Sequence, residues 1–253
     1  MHTEDVVAAL VAGLGDAVIA TDFDGTLSPI VDDPTEAVLL PGAAEVLVQL
    51  SERVAELAVV SGRPVSFLAG RTPPGLTLVG LYGLETERDG VRTDHANAGV
   101  WRETMADVAT AAELQGPSGM RVELKELSIT LHYRGRPEIA SQVEDYSVLA
   151  AKSAGLRRRP AKMSVELHPP SDEDKGTVIL RLADERTGPV VYIGDDVGDL
   201  PAFDALDTRA ASGRQVFRIA AESDEMVDEL RQRADLLLDG PAGVLDLLRQ
   251  LLR

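Results

Sequence analysis

Short apolar runs alternate with stretches of helical periodicity towards both ends of the chain. Residues 17–21 (AVIAT) and 57–60 (LAVV) are apolar runs bounded by turn-forming residues, a pattern typical of buried parallel strands. Residues 42–54 and 174–185 carry apolar side chains at helical spacing, and residues 190–193 (VVYI) predict another strand. This alternation predicts an α/β fold whose core is a Rossmann-like, doubly wound parallel sheet.

The middle of the chain changes to the two-residue alternation of antiparallel strands, which is clearest in SITLHY at residues 128–133. The pattern predicts, in chain order, a helix, two strands, a helix and two more strands: residues 100–114, 120–123, 128–133, 137–153, 156–159 and 163–168. We therefore predict a core formed by residues 1–96 and 171–253, with an inserted α+β domain at residues 97–170.

The composition excludes several classes of function. The chain of 253 residues has no cysteine, so thiolate catalysis, disulfides and cysteine-ligated zinc are excluded. Its formal net charge of −17 argues against a nucleic-acid partner, because phosphate backbones are bound by basic surfaces. No apolar run approaches the roughly 20 residues that span a bilayer, and the N-terminus lacks the basic segment of a signal peptide. We therefore expect a cytoplasmic protein that binds neither nucleic acid nor a membrane.

Two aspartates follow the first predicted strand, in the motif T-D-F-D-G-T at residues 21–26. Asp22 and Asp24 are two residues apart, so an extended backbone directs both side chains to the same side. The carboxyl ends of parallel strands are also where open α/β sheets bind ligands. An isolated D-x-D motif is common in loops and helix caps. Ionised groups directly after four apolar residues, however, need a metal, a partner or a chemical role.

A second acidic group follows the VVYI strand, in the motif G-D-D-V-G-D. Asp195, Asp196 and Asp199 bring more negative charge than one strand end tolerates unless a cation neutralises it. A capping turn explains one of these aspartates but not the whole group. With Asp22 and Asp24 they form an oxygen-only ligand set without His or Cys, which favours Mg²⁺ over zinc.

Two further residues offer positive charge or hydrogen bonds to an anion. Ser61, in the motif S-G-R after the LAVV strand, can present its hydroxyl and nearby backbone N–H groups at a helix N-terminus. A simple helix cap is the alternative for Ser61, and by itself the commoner one. Lys175, in D-E-D-K-G, opens the predicted helix, where a lysine opposes the helix dipole. A phosphate bound beside Lys175 would reverse that penalty.

The order D-x-D, Ser, Lys and GDD on successive α/β units resembles the haloacid dehalogenase superfamily. In the phosphatases of that superfamily the first aspartate is the nucleophile and the second is the general acid–base. The resemblance implies that Asp22 forms an aspartyl phosphate, while Asp24 protonates the leaving alcohol and then activates water. It also implies that Mg²⁺ binds Asp22, the Asp24 backbone carbonyl and Asp195, with Asp199 close by.

Longer stretches resemble trehalose-phosphate phosphatases over essentially the whole chain. The matching segments are DFDGTLSPIVDDP, VVSGR, GLYGLE, VELKELSITLHYR, KMSVELHPPSDEDKG and GDDVGDLPAF. This resemblance implies a sugar phosphate, trehalose 6-phosphate, as the substrate, and a cap formed by the inserted domain. It implies phosphate contacts for Ser61, Gly62 and Lys175, and substrate contacts for a further polar set: Arg63, Glu85, Lys125, His132, Arg134, Glu166 and Asp196. The cap residues alternate with apolar ones, so the solvated face of a half-buried sheet is an alternative for them.

Two positions depart from the family pattern. Tyr82 stands where members commonly have His, and Leu200 stands where many have Glu. Both leave another phosphorylated disaccharide or pseudo-disaccharide open as the substrate. A phosphomutase is a further alternative, and so is a non-catalytic partner of a trehalose-phosphate synthase. The chain keeps every catalytic position, which disfavours the non-catalytic alternative, and we expect it to be a monomer.

Overall fold

The computed structural model divides the chain into two compact units. The larger unit is formed by Met1–Thr93 together with Glu173–Arg253, and the smaller unit by Asp94–Asp172. The domain inserted at 97–170 in the sequence-based prediction lies inside the smaller unit. The structure describes residues 2–31, 33–161, 163–223 and 226–253.

The described residues form twelve strands, nine α-helices and five short 3₁₀ turns. The strands are β1 (Val18–Thr21), β2 (Glu56–Val60), β3 (Thr77–Gly80), β4 (Glu85–Arg88), β5 (Val91–Asp94), β6 (Arg121–Lys125), β7 (Ser128–His132), β8 (Arg157–Ala161), β9 (Ser164–His168), β10 (Val190–Gly194), β11 (Val216–Ala221) and β12 (Leu236–Leu238). The helices are α1 (Thr3–Val11), α2 (Ala43–Ser51), α3 (Val65–Ala69), α4 (Ala98–Gln115), α5 (Ala140–Ala154), α6 (Lys175–Asp184), α7 (Leu200–Ala211), α8 (Asp228–Arg233) and α9 (Gly240–Gln250). The 3₁₀ turns are Leu14–Asp16, Pro34–Glu36, Leu81–Gly83, Pro137–Ile139 and Val197–Asp199.

An eight-stranded sheet in the order β12-β11-β10-β1-β2-β3-β4-β5 forms the centre of the larger unit. The strands from β12 to β3 are parallel, and β1 lies in the middle with Thr21 paired to Ile193 of β10 and Val59 of β2. Chain order reverses on the two sides of β1, so ligand-binding residues are expected beyond its carboxyl end. The predicted α/β class with a parallel sheet is confirmed.

Alternate residues of the central strands pack on opposite faces of this sheet. Ile19 and Ile193 belong to one apolar cluster, which includes side chains of α1, α2, α3 and α9. Ala20 and Tyr192 belong to the other cluster, which includes side chains of α6, α7 and α8. Helices therefore cover both faces of the sheet, as a doubly wound core requires.

The antiparallel hairpin of β4 and β5 was not predicted from the sequence pattern. These strands are short and mostly polar, so they show neither the apolar run of a buried strand nor the apolar–polar alternation of a half-buried one. Asp89 and Gly90, between the strands, both have positive φ values of 54° and 73°. Asp-Gly is a favoured pair for such a two-residue hairpin turn, and it was the available signal.

A four-stranded antiparallel sheet in the order β6-β7-β9-β8 forms the smaller unit, with α4 and α5 packed on one face. Ile129, Leu131, Val165 and Leu167 supply the strand residues of that apolar face. The alternate residues form a polar face: Arg121, Glu123, Lys125, Ser128, Thr130, His132, Arg157, Arg159, Ser164, Glu166 and His168. Among the residues that the structure describes, no helix is both long enough and apolar enough to cross a bilayer.

Helices α6 and α7 pack closely where each begins. A Cβ atom on Gly176, the second residue of α6, would lie 2.4 Å from the carbonyl oxygen of Pro201 in α7. Gly176 therefore allows the two helix starts to approach each other. Lys175 precedes Gly176, and Asp199 lies just before α7, so this contact also brings two predicted site residues together.

We expect Gly176→Ala to lower the free energy of unfolding by about 1–3 kcal/mol, because the added methyl group forces the two helices apart. Without the contact, the higher helix propensity of alanine would raise the free energy of unfolding by up to about 1 kcal/mol. The sign of the measured change therefore shows whether the contact is present. Urea denaturation of the variant measures it.

The matched control is Gly99→Ala in α4, where an added Cβ atom would have no neighbour within 4 Å. That variant should be as stable as the wild type or slightly more stable. Equal gains in stability for both variants would contradict the close contact at Gly176.

Candidate active site

Asp22 follows β1 directly and lies at the carboxyl end of the parallel sheet. Its backbone N–H donates to the carbonyl of Ile193, which continues the pairing with β10. Its side chain is 9% exposed. Oδ1 accepts a hydrogen bond from the backbone N–H of Phe23 at 2.7 Å, and Oδ2 lies 2.8 Å from Nζ of Lys175. The strand end and the lysine thus fix this carboxylate in one orientation.

Asp199 is fully buried, and four donors surround its carboxylate. Oδ1 accepts from Nζ of Lys175 at 2.6 Å and from the hydroxyl of Tyr192 at 2.5 Å. Oδ2 accepts from the backbone N–H groups of Asp195 at 2.7 Å and Asp196 at 3.0 Å. A carboxylate can accept about four hydrogen bonds, so these four donors occupy all of its acceptor positions.

Asp195 is 2% exposed, yet its carboxylate is poorly satisfied. Within the described residues it receives one long hydrogen bond, of 3.4 Å, from the hydroxyl of Thr26. Gly25, with φ of 74°, makes room for it, because a Cβ there would lie 2.0 Å from an Asp195 carboxylate oxygen. Burial and the nearby charges of Asp22 and Asp199 raise the pKa of Asp195 to about 9.

These carboxylates meet the requirements of a divalent cation. Asp22, Asp195 and Asp199 each have an oxygen within 4.8 Å of the other two, but four donors already occupy Asp199, which leaves Asp22 and Asp195 to bind an ion. Burial raises the pKa of Asp22 to about 7, against the opposing charge of Lys175. Burial would lower the pKa of Lys175, but the charges of Asp199 and Asp22 outweigh it and hold that pKa well above its ordinary value. One ammonium group is thus shared between two of the three carboxylates, and the oxygen-only donor set fits Mg²⁺.

Arg63 holds Asp24 through two parallel hydrogen bonds. Nε and one terminal nitrogen of Arg63 donate to the two carboxylate oxygens of Asp24 at 2.8 and 2.9 Å. The guanidinium also lies over the ring of Phe67, with 4.4 Å between its carbon and the ring centroid. Phe67 packs edge-to-face on Phe23, which separates the two aspartates. The family resemblance implies a substrate contact for Arg63, and the structure adds its bidentate contact with the second aspartate.

Ser61 and Gly62 begin the loop after β2, and Tyr82 packs against it. The backbone N–H of Ser61 bonds to Val79, and its hydroxyl accepts from the N–H of Arg63 at 3.2 Å. A Cβ on Gly62 would lie 2.7 Å from ring atoms of Tyr82, so this position requires glycine. Tyr82 itself has φ of 58°, in the left-handed region that non-glycine residues rarely adopt.

Glu85 is the first residue of β4, and its carboxylate is hydrogen-bonded within the protein. It is 0% exposed, and its two carboxylate oxygens accept from the backbone N–H of Val65 and from Arg92, at 2.8 and 2.7 Å. Val65 begins α3, directly after the Ser61–Arg63 loop. These bonds hold the start of α3 and the loop before it, and a contact of Glu85 with the sugar stays a prediction.

Asp196 and Leu200 are both local structural residues. The side chain of Asp196 accepts from the backbone N–H of Gly198 at 2.8 Å and caps the 3₁₀ turn that follows. Leu200 is the first residue of α7. The turn between them brings the carboxylate of Asp199 within hydrogen-bonding distance of the backbone N–H groups of Asp195 and Asp196.

The predicted cap residues lie in the smaller unit. Glu166 is buried, and it accepts from the hydroxyl of Ser128 at 2.7 Å and lies 3.6 Å from Arg159. His132 pairs with Glu123 at 2.7 Å, and Lys125 lies 4.0 Å from the same carboxylate. Arg134 is exposed in the turn after β7.

Sequence reasoning did not select Ser128, Thr130 and Arg159 from this face. The hydroxyl of Thr130, which pairs with Glu166 across β7 and β9, is buried without a hydrogen-bond partner in the described part of the chain. Small polar residues in strand patterns are ordinary, so the sequence carries no strong signal for them. Cross-strand pairing to Glu166 was the feature that could have found Thr130 and Arg159.

The fold, with carboxylates at the ends of β1 and β10, resembles that of haloacid dehalogenase-like hydrolases. The structure of a haloacid dehalogenase-like hydrolase from Bacteroides thetaiotaomicron superposes with a TM-score of 0.60 at 14% identity, covering 92% of this chain and 98% of that one. A family model described as Trehalose-phosphatase matches residues 20–234. The chain therefore belongs to the trehalose-phosphatase family, as the sequence motifs predict.

Curated relatives include trehalose-phosphate phosphatases of mycobacteria. The protein of Mycobacterium tuberculosis is 36% identical over 225 residues, which is 80% of this chain and 55% of the relative. The protein of Mycobacterium ulcerans is 37% identical over 202 residues, covering 73% and 50%. The chain thus matches about half the length of these relatives.

A solved structure extends the comparison of folds. The C-terminal domain of Candida albicans trehalose-6-phosphate phosphatase has a TM-score of 0.78 at 21% identity, and the match covers 100% of this chain and 97% of that one. At this level of identity the likeness concerns the fold.

We expect the metal-free protein to become less stable as pH rises from about 6 to about 8.5. Burial raises the pKa of Asp22 to about 7 and that of Asp195 to about 9, and both values lie above the ordinary aspartate pKa of 3.8. Carboxyls with raised pKa stabilise the fold while protonated, and this contribution disappears as pH rises through those values. Added Mg²⁺ should therefore raise the thermal midpoint more at pH 8.5 than at pH 6, by scanning calorimetry.

Asp195→Asn should remove most of the response to Mg²⁺, because it deletes a buried, unsatisfied ligand. Asp107→Asn, at an exposed position of α4, is the matched control and should respond as the wild type does. An Asp195→Asn protein that keeps the full pH-dependent response would exclude Asp195 from the cation site.

Proposed function

We propose that this chain is a Mg²⁺-dependent phosphatase that hydrolyses trehalose 6-phosphate to trehalose and phosphate. The observation that carries the chemistry is the buried Asp22 carboxylate at the end of β1, paired with Lys175 and next to the unsatisfied Asp195. Membership of the trehalose-phosphatase family supports the choice of substrate.

Asp22 is the proposed nucleophile. Its carboxylate attacks phosphorus in line with the leaving sugar oxygen, so an acyl phosphate bond forms as the phosphorus–oxygen bond to the sugar breaks. The ammonium group of Lys175, 2.8 Å from Oδ2, is placed to bind a phosphoryl oxygen and offset its charge. Ser61 and Gly62 supply further hydrogen bonds from the neighbouring loop. Mg²⁺ would supply the remaining positive charge, held by Asp22, Asp195 and the Asp24 carbonyl, with Asp199 orienting Lys175 rather than binding the ion.

Asp24 is the proposed general acid–base. It gives a proton to the sugar oxygen as that oxygen leaves, and afterwards takes a proton from the water that attacks the aspartyl phosphate. The bidentate contact with Arg63 fixes the plane of this carboxylate. Arg63 is thus proposed as a positioning residue for Asp24.

Sugar recognition is assigned to the polar face of the smaller unit's sheet. Lys125, His132, Arg134 and Glu166 are the proposed contacts. Glu166 supports this assignment because a buried carboxylate with polar neighbours is a strong acceptor for hydroxyl groups. The unpartnered hydroxyl of Thr130 lies opposite it and can join the same set.

The proposal predicts release of phosphate from trehalose 6-phosphate in the presence of Mg²⁺ and none after EDTA treatment. Sucrose 6-phosphate, glucose 6-phosphate and p-nitrophenyl phosphate complete the panel, and trehalose 6-phosphate should have the highest kcat/KM. Phosphate release measured for each substrate tests this directly.

Two variants serve as controls in the same assay. Asp22→Asn should lose turnover of every substrate, and measurable activity would contradict the nucleophile. Glu166→Gln should raise KM for trehalose 6-phosphate and leave p-nitrophenyl phosphate unaffected. Metal-dependent hydrolysis without preference for trehalose 6-phosphate would reject this sugar, and a requirement for a bisphosphate primer would indicate a phosphomutase.

Arg63→Lys should distinguish substrates by their leaving groups. A sugar oxygen needs a proton to leave, whereas p-nitrophenolate leaves without one. Misplacing Asp24 should therefore lower kcat for trehalose 6-phosphate by about a hundred-fold and kcat for p-nitrophenyl phosphate by much less. Steady-state kinetics of the two substrates measure the difference.

Arg53→Lys is the control for this charge-conserving change, because Arg53 is exposed and its one hydrogen bond among the described residues goes to the backbone carbonyl of Leu252. It should behave as the wild type does with both substrates. Equal losses with both leaving groups in Arg63→Lys would show that Arg63 does not act through Asp24.

A further inference from the structure

Tyr192 is a buried residue of β10 whose hydroxyl the proposed mechanism does not use. Its side chain is 0% exposed and lies in the apolar cluster under α6 and α7. Within the described residues the hydroxyl has one polar contact, the 2.5 Å hydrogen bond that it donates to Oδ1 of Asp199. A phenylalanine would fill the same space without any polar group to satisfy.

The same oxygen of Asp199 holds Lys175. Nζ of Lys175 lies 2.6 Å from Oδ1 of Asp199 and 2.8 Å from Oδ2 of Asp22. The backbone of Lys175 is fixed at the start of α6 by the close packing of Gly176. The position of Nζ therefore depends on these two carboxylates.

We propose that Tyr192 is a positioning residue for phosphoryl transfer, acting through Asp199 to set the place of the Lys175 ammonium group beside Asp22. This inference rests on the proposed phosphatase function. The chain of contacts runs from the tyrosine hydroxyl through the carboxylate of Asp199 to the ammonium group.

The physical reason is the way in which the hydrogen-bond donors are divided between the two carboxylate oxygens of Asp199. Two backbone N–H groups occupy Oδ2, so Oδ1 is shared between Tyr192 and Lys175. Without the hydroxyl, Oδ1 would bind the ammonium group alone and draw it away from Asp22. A bound phosphoryl group would then lose part of the contact with Lys175 that offsets its charge.

The hydroxyl is suited to this role because it remains a donor. Burial, and next the charge of Asp199, raise the pKa of Tyr192 well above its ordinary value. Its ring is held between packed helices and the sheet, so the hydrogen bond is fixed in direction.

The test is Tyr192→Phe, which deletes one oxygen from a packed side chain. Losing a hydrogen bond to a charged group should lower kcat for trehalose 6-phosphate by about ten- to a hundred-fold, with KM changed by less than about two-fold. Affinity for orthovanadate, which mimics the five-coordinate phosphorus of the transition state, should fall by a similar factor. Tyr146→Phe in α5 is the matched control and should leave both values unchanged.

A double-mutant cycle separates positioning from packing. In an Asp199→Asn background the hydroxyl has no carboxylate to act through, so adding Tyr192→Phe should cost little more. Additive losses, or a Tyr192→Phe enzyme within two-fold of the wild type in kcat and vanadate affinity, would overturn the inference.

The outcomes for the two proposals remain distinct. A wild-type protein that binds vanadate but cleaves no phosphate ester would reject the phosphatase, while the vanadate affinities still decide the role of Tyr192. A wild-type protein that neither binds vanadate nor cleaves an ester would overturn both.

Discussion

The Lys175 ammonium group, buried among carboxylates, is the interaction on which the rest of the site depends. It contacts Asp22 and Asp199 within 2.8 Å and is 3% exposed. A buried charge is tolerated only where partners compensate for its lost hydration, and here the acids outnumber the cation. The excess negative charge therefore favours the binding of a second cation at the end of β1.

Three separate parts of the fold converge to build this interaction. The parallel pairing of β1 with β10 brings Asp22 next to Asp195. The close approach of α6 and α7 at Gly176 brings Lys175 to Asp199. The 3₁₀ turn after β10 directs two backbone N–H groups at the same carboxylate. A shift in any of these elements would separate charges that are stable only together.

Much of the arrangement could be predicted from the sequence, because the acids follow apolar strands directly. The ends of the strands at Asp22 and Asp195 are set by local pattern, and parallel pairing then brings them together. The partner of Arg63 was not predictable, since it depends on how the loop after β2 folds back on Asp24. Nor was the burial of Glu85, whose partners Val65 and Arg92 come from the start of the short helix α3 and from a polar hairpin with little apolar pattern.

The roles of individual acids were the hardest feature to predict, because the five aspartates near the two strand ends look alike in a sequence. The structure separates them by the donors that each receives. Among the described residues Asp199 accepts four hydrogen bonds, which use its capacity, whereas Asp195 receives one long bond. A buried carboxylate with full partners adds order to its surroundings, and one with few partners retains affinity for a cation. The number of hydrogen bonds that each carboxylate accepts therefore distinguishes the functions of aspartates that residue type alone cannot distinguish.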